Sequence, residues 1–312
     1  MTDSNPRARP MRVLVAVDGS PGSQVAVDLV AGLAWPAGTT IRFVSAIIEV
    51  QDYGYDLVGV LPVDTDDQPF FDELEQALQA ARSRLAEDVA TESAILHGRA
   101  ADAVLADVEQ FQPDLMVVGS RGFGPIRSML LGSVSAELVD RAPCPVLVAR
   151  RRDVDHLLLA YDGSPASEQA VGLVADWPIL HAGEIQVLSV AQAPVLWRSG
   201  IAPGMYRVVI EDYEASLAQL RNEHAQLAEQ ATRRLTAAGV AARGLVATGD
   251  PAQEIVALTG ADRADLVVIG SRGHTGLSRL VLGSVARNVL LHADASVLVV
   301  HGLPQDVERA KR

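Results

Sequence analysis

Two rhythms of hydrophobic and polar positions alternate along the chain. Short, continuous aliphatic runs, such as 12–18 and 114–119, read as strands buried on both faces. Between them, apolar residues recur every three or four positions, which reads as helix. The pattern predicts a strand at 12–18, a helix to about Ala34, a strand at 41–47 and a long helix over 70–91 with Leu74, Leu78, Leu85 and Val89 on one face. A strand near 93–97, a helix over 100–111, a strand at 114–119, a helix over 133–141 and a strand at 145–150 follow. The same order then recurs, with strands near 156–161, 184–191, 241–247, 265–270 and 296–301. Its second helical region is longer, 208–238, with Tyr213, Leu217, Leu220, Leu227 and Leu235 on the apolar face. Strands alternating with helices predict right-handed crossovers and a parallel sheet covered on both sides.

The recurrence is literal. VLVAVDGSPGSQVAVDLV at 13–30 matches LLLAYDGSPASEQAVGLV at 157–174, and LMVVGSRGFGPIRSMLLGSVSAELV at 115–139 matches LVVIGSRGHTGLSRLVLGSVARNVL at 266–290. A period near 145–150 in a chain of 312 residues means a duplicated domain, not a solenoid. The first domain is expected over 11–151 and the second over 152–303, meeting at the basic step 150–153. Residues 1–10 and 304–312 are expected to be a disordered leader and tail.

Charge and composition narrow the function. The net charge of −13 disfavours polyanions, so nucleic acid is not expected as a partner. A small anion remains within reach of backbone N–H groups and a few arginines. The only lysine is Lys311, which excludes a P-loop and any Schiff-base or kinase-type lysine in the body of the fold. No apolar run reaches the roughly 20 residues of a membrane helix, so no stable membrane insertion is expected. The one cysteine, Cys144, precludes an internal disulfide and fits a cytoplasmic location; it reads as a buried structural thiol. The seven histidines show no metal-ligand spacing, and no nucleophile elbow is present. No metal site and no catalytic residue are therefore assigned.

The candidate chemistry lies at two strand ends. After the fourth strand of each copy comes a glycine skeleton: Gly119, Gly122, Gly132 and Ser133 in the first, Gly270, Gly273, Gly283 and Ser284 in the second. A strand feeding a glycine loop and then a helix N-terminus is a phosphate-binding layout. Glycines that serve only a tight turn are the alternative, which a twofold occurrence weakens. Asp18 and Asp162 end the first strands. In Asp-Gly-Ser-Pro they are also turn formers, with Ser20 as N-cap and Pro21 at the first helical position. If the first and fourth strands are neighbours, these carboxylates face the glycine loops across one crevice. Arg121, Arg127, Arg272 and Arg279 offer guanidinium groups to phosphate or merely to solvent. His274 stands where the first copy has Phe123, and His224, on the apolar side of the long helix, reads as structural.

The spacing G-x-x-G-x9-G-[ST], present twice, resembles the nucleotide-binding signature of the universal stress protein family. The likeness covers nearly the whole chain as two tandem domains and is nearest to the two-domain members of mycobacteria and related actinobacteria. It implies two doubly wound α/β domains, each a five-stranded parallel sheet in the order 3-2-1-4-5 flanked by helices. It also implies ATP as the ligand, with or without Mg²⁺. By position, Asp18 and Ala46 would hold adenine and ribose at site one, with Gly119, Arg121, Gly122, Gly132, Ser133, Val134 and Ser135 at the phosphates. At site two the same roles fall to Asp162 and Val190, then Gly270, Arg272, Gly273, Gly283, Ser284 and Val285. Ala286 replaces the usual hydroxyl residue there, so site two is expected to bind more weakly by one phosphate hydrogen bond unless Arg272 or Arg279 compensates.

The expected function is a stress-response or growth regulator acting through nucleotide-dependent conformation or a regulatory protein partner. Slow ATP hydrolysis or phosphotransfer, and a structural protein with a degenerate pocket, stay open as alternatives. The loops 49–69 and 192–210, beside the expected adenine edge, read as lids or partner-facing segments. The apolar last strands are expected to pair, either with each other within the chain or across a homodimer.

Overall fold

The computed structural model describes residues 9–47, 68–122, 131–181, 183–192, 206–260, 263–273 and 282–301. The chain divides into two compact units, Met1–Asp153 and Val154–Arg312. Unit 1 contains β1 (Arg12–Ala16), α1 (Pro21–Gly32), β2 (Thr40–Ile47), α2 (Gln68–Arg82), β3 (Ala90–His97), α3 (Ala100–Phe111), β4 (Leu115–Gly119), α4 (Ser133–Arg141) and β5 (Val146–Ala149). Unit 2 contains β6 (His156–Ala160), α5 (Pro165–Asp176), a 3-10 turn at Pro178–Leu180, β7 (Glu184–Ala191), α6 (Tyr206–Ala237), β8 (Ala242–Thr248), α7 (Pro251–Ala257), β9 (Leu266–Gly270), α8 (Ser284–His292) and β10 (Ser296–Val300).

Within unit 1 the strands run β3-β2-β1-β4-β5, and within unit 2 the same order appears as β8-β7-β6-β9-β10. Every neighbouring pair inside a unit is parallel. Both are therefore the 3-2-1-4-5 arrangement. All residues of β4, β5, β9 and β10 are buried, which requires cover on both faces of each sheet. Phe43, Leu14, Ile41, Leu115 and Met116 fill the first core, and Leu158, Leu159, Ile185, Leu188 and Leu235 the second. Each such side chain contributes about 1.5–3 kcal/mol by burial. No helix among the described residues is long and apolar enough to cross a membrane.

One expectation needed adjustment. The helix predicted over 70–91 ends at Arg82, because three-residue turns take over: Arg84 N–H donates to Ala81 O, and Leu85 N–H to Arg82 O. Leu85 and Val89 keep the apolar spacing of a helix but lie half-buried beyond it. The long helix of unit 2 is real, 32 residues in Tyr206–Ala237, and packs on β7 and β8.

Candidate functional site

In each unit the first and fourth strands are neighbours. Val13 pairs with Leu115, and Leu157 with Leu266, so the two strand ends emerge side by side. The chain leaving β1 turns at once. Asp18 Oδ1 accepts from Ser20 N–H at 3.0 Å, and Ser20 Oγ caps α1 by accepting from Ser23 N–H at 3.2 Å. Unit 2 repeats this, with Asp162 Oδ1 accepting from Ser164 N–H at 3.0 Å and Ser164 Oγ from Ser167 N–H at 3.3 Å. The turn-forming role of the aspartates is thus realised, and it uses one carboxylate oxygen.

The other oxygen faces the glycine loop. A Cβ on Gly122 would stand 2.5 Å from Asp18 Oδ2, and one on Gly273 would stand 2.7 Å from Asp162 Oδ2. Any side chain at these glycines would displace the carboxylate. The cap serines also hold the loop: Ser20 Oγ donates to Arg121 O at 3.1 Å, and Ser164 Oγ to Arg272 O at 3.2 Å. The far end of the loop is closed by Gly132 N–H donating to Ser120 O, and by Gly283 N–H donating to Ser271 O, each at 2.8 Å. Gly132 and Gly283 then cap α4 and α8 without a side chain, leaving the helix N-termini open to an acceptor.

Not every residue of the expected set reaches the crevice in the same way. Gly119 ends β4 buried against α1; its missing Cβ would stand 2.6 Å from Gly22 O. Close packing, rather than phosphate, explains that glycine. Ser135 is buried, and its hydroxyl donates to Gly119 O at 2.7 Å. Its only proton is committed there. The weaker binding expected at site two from Ala286 rested on that proton, so it loses its ground. Ser133 and Val134 are exposed in the first turn of α4, and Ala46 is half-buried on β2. Arg127, Arg279, Phe123, His274 and most of the loops 49–69 and 192–210 lie outside the described residues.

Unit 2 holds a cavity of about 700 Å³. All eight expected residues line it: Asp162, Val190, Gly270, Arg272, Gly273, Gly283, Ser284 and Val285. Sequence reasoning missed much of the remaining wall, which includes Tyr161 and, from α6 and α7, Leu220, Leu227 and Ile255. Tyr161 is buried; its hydroxyl donates to Glu168, which pairs in turn with Arg234 of α6. Burial raises the pKa of this phenol. Val17 stands at this place in the first repeat, so the substitution was visible in the alignment of the two halves.

The family model described as "Universal stress protein family" matches residues 10–150 and again 154–301. The chain belongs to this family. A universal stress protein of Mycobacterium tuberculosis is 28% identical over 347 residues, covering 94% of this chain and 96% of its own. A second from the same organism is 34% identical over 197 residues; the match spans 61% of this chain and 62% of that relative's length. A universal stress protein of Thermus aquaticus is 34% identical over 145 residues, 44% of this chain and 97% of its own. The crystal structure of a universal stress protein from Archaeoglobus fulgidus has a TM-score of 0.61 at 19% identity, covering 95% of this chain and 97% of that one. At that identity the likeness speaks to the fold. As a universal stress protein, the chain carries two family domains, each with one of the strand-end carboxylates and one set of the loop glycines described above.

Proposed function

We propose that each unit binds ATP, and that the protein is a stress-response regulator whose conformation or partner changes with nucleotide occupancy. The reading is carried by one observation made twice: the strand-end carboxylate faces the Cβ-less second glycine of the loop, Asp18 against Gly122 and Asp162 against Gly273. A carboxylate there accepts from ribose hydroxyls or an adenine amino group. The backbone N–H groups opening α4 and α8 suit phosphate oxygens. The cavity of about 700 Å³ in unit 2 lies within the range of roughly 300–1,000 Å³ usual for small-molecule sites. It combines apolar side chains from β7 and α6 with Arg272, Gly283 and Ser284 at the loop. Among the described residues no group of three or more His, Cys, Asp or Glu is gathered. Among the described residues, Asp18 and Asp162 are the carboxylates facing the loop glycines, where a magnesium ion accompanying the phosphates would find an oxygen ligand.

Equilibrium dialysis with radiolabelled ATP tests the assignment. Wild type should bind two equivalents. Gly122→Glu, which drives a carboxylate against Asp18, should lose one, and Gly273→Glu the other. A double variant that still binds two would refute the site.

A further inference from the structure

His224 stands on α6 one turn before the buried Ala228, and it lines the cavity of unit 2. Its Nδ1 lies 2.8 Å from Ser189 Oγ on β7. With Nδ1 engaged by the strand, the ring has Nε2 left to offer. Burial lowers the imidazole pKa, so the ring is neutral near pH 7 and Nε2 is a single donor or a single acceptor, not a charge. The lining around it from β7 and α6 is aliphatic: Leu188, Val190, Leu220 and Leu227. One oriented nitrogen in an apolar wall fixes the pose of a planar heterocycle, whereas the glycine-loop wall offers backbone and guanidinium groups suited to phosphate.

Unit 1 is built differently at the same place. The spacing of Leu74, Leu78 and Ala81 along the inward side of α2 repeats that of His224, Ala228 and Ala231 along α6, so Leu74, 5% exposed, stands at the turn of His224. Ser45, the counterpart of Ser189, donates its hydroxyl to Val17 O at 2.5 Å. The first repeat thus has an aliphatic group where the second has imidazole, and its serine serves the backbone.

We propose that His224, positioned by Ser189, is a specificity-determining residue that hydrogen-bonds the polar edge of a purine base in unit 2, giving the two units different base selectivity. The inference rests on the nucleotide reading of the cavity. A histidine that only ties α6 to β7 would leave base recognition untouched, and the test turns on that difference.

The test is a cycle between protein and ligand, run in a Gly122→Glu parent so that unit 2 alone is read. The probes are ATP and four analogues, each lacking one polar atom of the base: 1-deaza, 3-deaza, 7-deaza and 6-desamino. Affinities are measured by calorimetry for the parent and for His224→Leu, which installs the residue found at the corresponding turn of unit 1. Loss of one neutral hydrogen bond should weaken ATP about twofold to tenfold in the variant. One analogue should lose the same factor against the parent and nothing further against His224→Leu. Additive losses for all four analogues overturn the role of His224 while leaving nucleotide binding intact. A parent with no affinity for ATP overturns the nucleotide reading of unit 2 and this inference with it. Thermal unfolding confirms that the variant is folded; if it is not, His224→Ala, which likewise removes the hydrogen-bonding group, replaces it in the same cycle, with the same two outcomes.

Discussion

Gly22 and Ala166 occupy the same place in the two repeats, the second helical position of α1 and of α5. In the open, alanine there is the better residue by about 0.5–1 kcal/mol. In unit 1, however, a Cβ on Gly22 would overlap the carbonyl oxygen of Arg121, a backbone atom that a side-chain rotation cannot remove. Gly22→Ala should therefore destabilise unit 1 by about 1–3 kcal/mol, against its helix propensity, by the cost of overpacking. Denaturant unfolding measures this, and a stabilised variant would show that the loop moves aside freely. Cys144 offers a second residue-scale expectation. Burial pushes its thiol up to about 12, so almost no thiolate exists at pH 8. Iodoacetamide should leave the native protein unmodified and label it fully in guanidinium, read by mass spectrometry. At this scale the motif residues were legible because their types are chemically constrained, as with Asp18 and Gly122. The jobs of Gly119 and Ser135 were not. Both sit inside the same signature, yet they serve packing and a backbone carbonyl, a distinction that needs coordinates.

Among the elements, α4 matters most to unit 1, because its N-terminus completes the loop. It is held to α3 by an ion cluster. Arg99 pairs with Asp102 at 2.7 Å and with Glu137 at 2.5 Å, while Arg141 pairs with Asp102 at 2.7 Å and also with Glu137. Hydrogen bonds from Arg99 and then Arg141 hold both carboxylates down at about 2. A carboxylate with a lowered folded pKa stabilises above its unfolded value and loses that contribution as pH falls through the folded one. The window thus runs from the ordinary 4.5 of Glu137 down to about 2. The cluster is solvent-facing, so its effect is small and salt-sensitive. Glu137→Gln should flatten the acid-side dependence of stability in that window, measured by denaturant unfolding at stepped pH; an unchanged slope would show that the cluster adds nothing. These pairs were invisible beforehand, since Arg99 and Glu137 lie 38 residues apart. The strands and helices themselves were legible wherever burial on both faces or an uninterrupted apolar stripe spoke alone, as in β4 and α3. The end of α2 was not, because Leu85 and Val89 preserve a helical spacing that three-residue turns share.

For the molecule as a whole, the proposed ligand and the protein carry charge of the same sign. The chain has a net charge of −13, and ATP is a polyanion. At long range the approach is repulsive, and salt shortens that repulsion to about 8 Å near physiological ionic strength. At contact the order reverses. Backbone N–H groups opening α4 and α8, with Arg272 in the cavity wall, attract phosphate over a few ångströms, and salt weakens them. The two effects separate kinetically, because long-range fields govern association whereas local contacts govern dissociation. Stopped-flow binding of a fluorescent ATP analogue should therefore show kon rising severalfold from low salt to about 0.15 M, while koff rises as well and the equilibrium affinity changes less than either rate. A kon that falls with salt would mean that the loops project enough positive potential to dominate the approach despite the bulk charge. Lowering the pH toward the sequence pI of about 4.9 removes the net charge without added ions and should raise kon in the same direction.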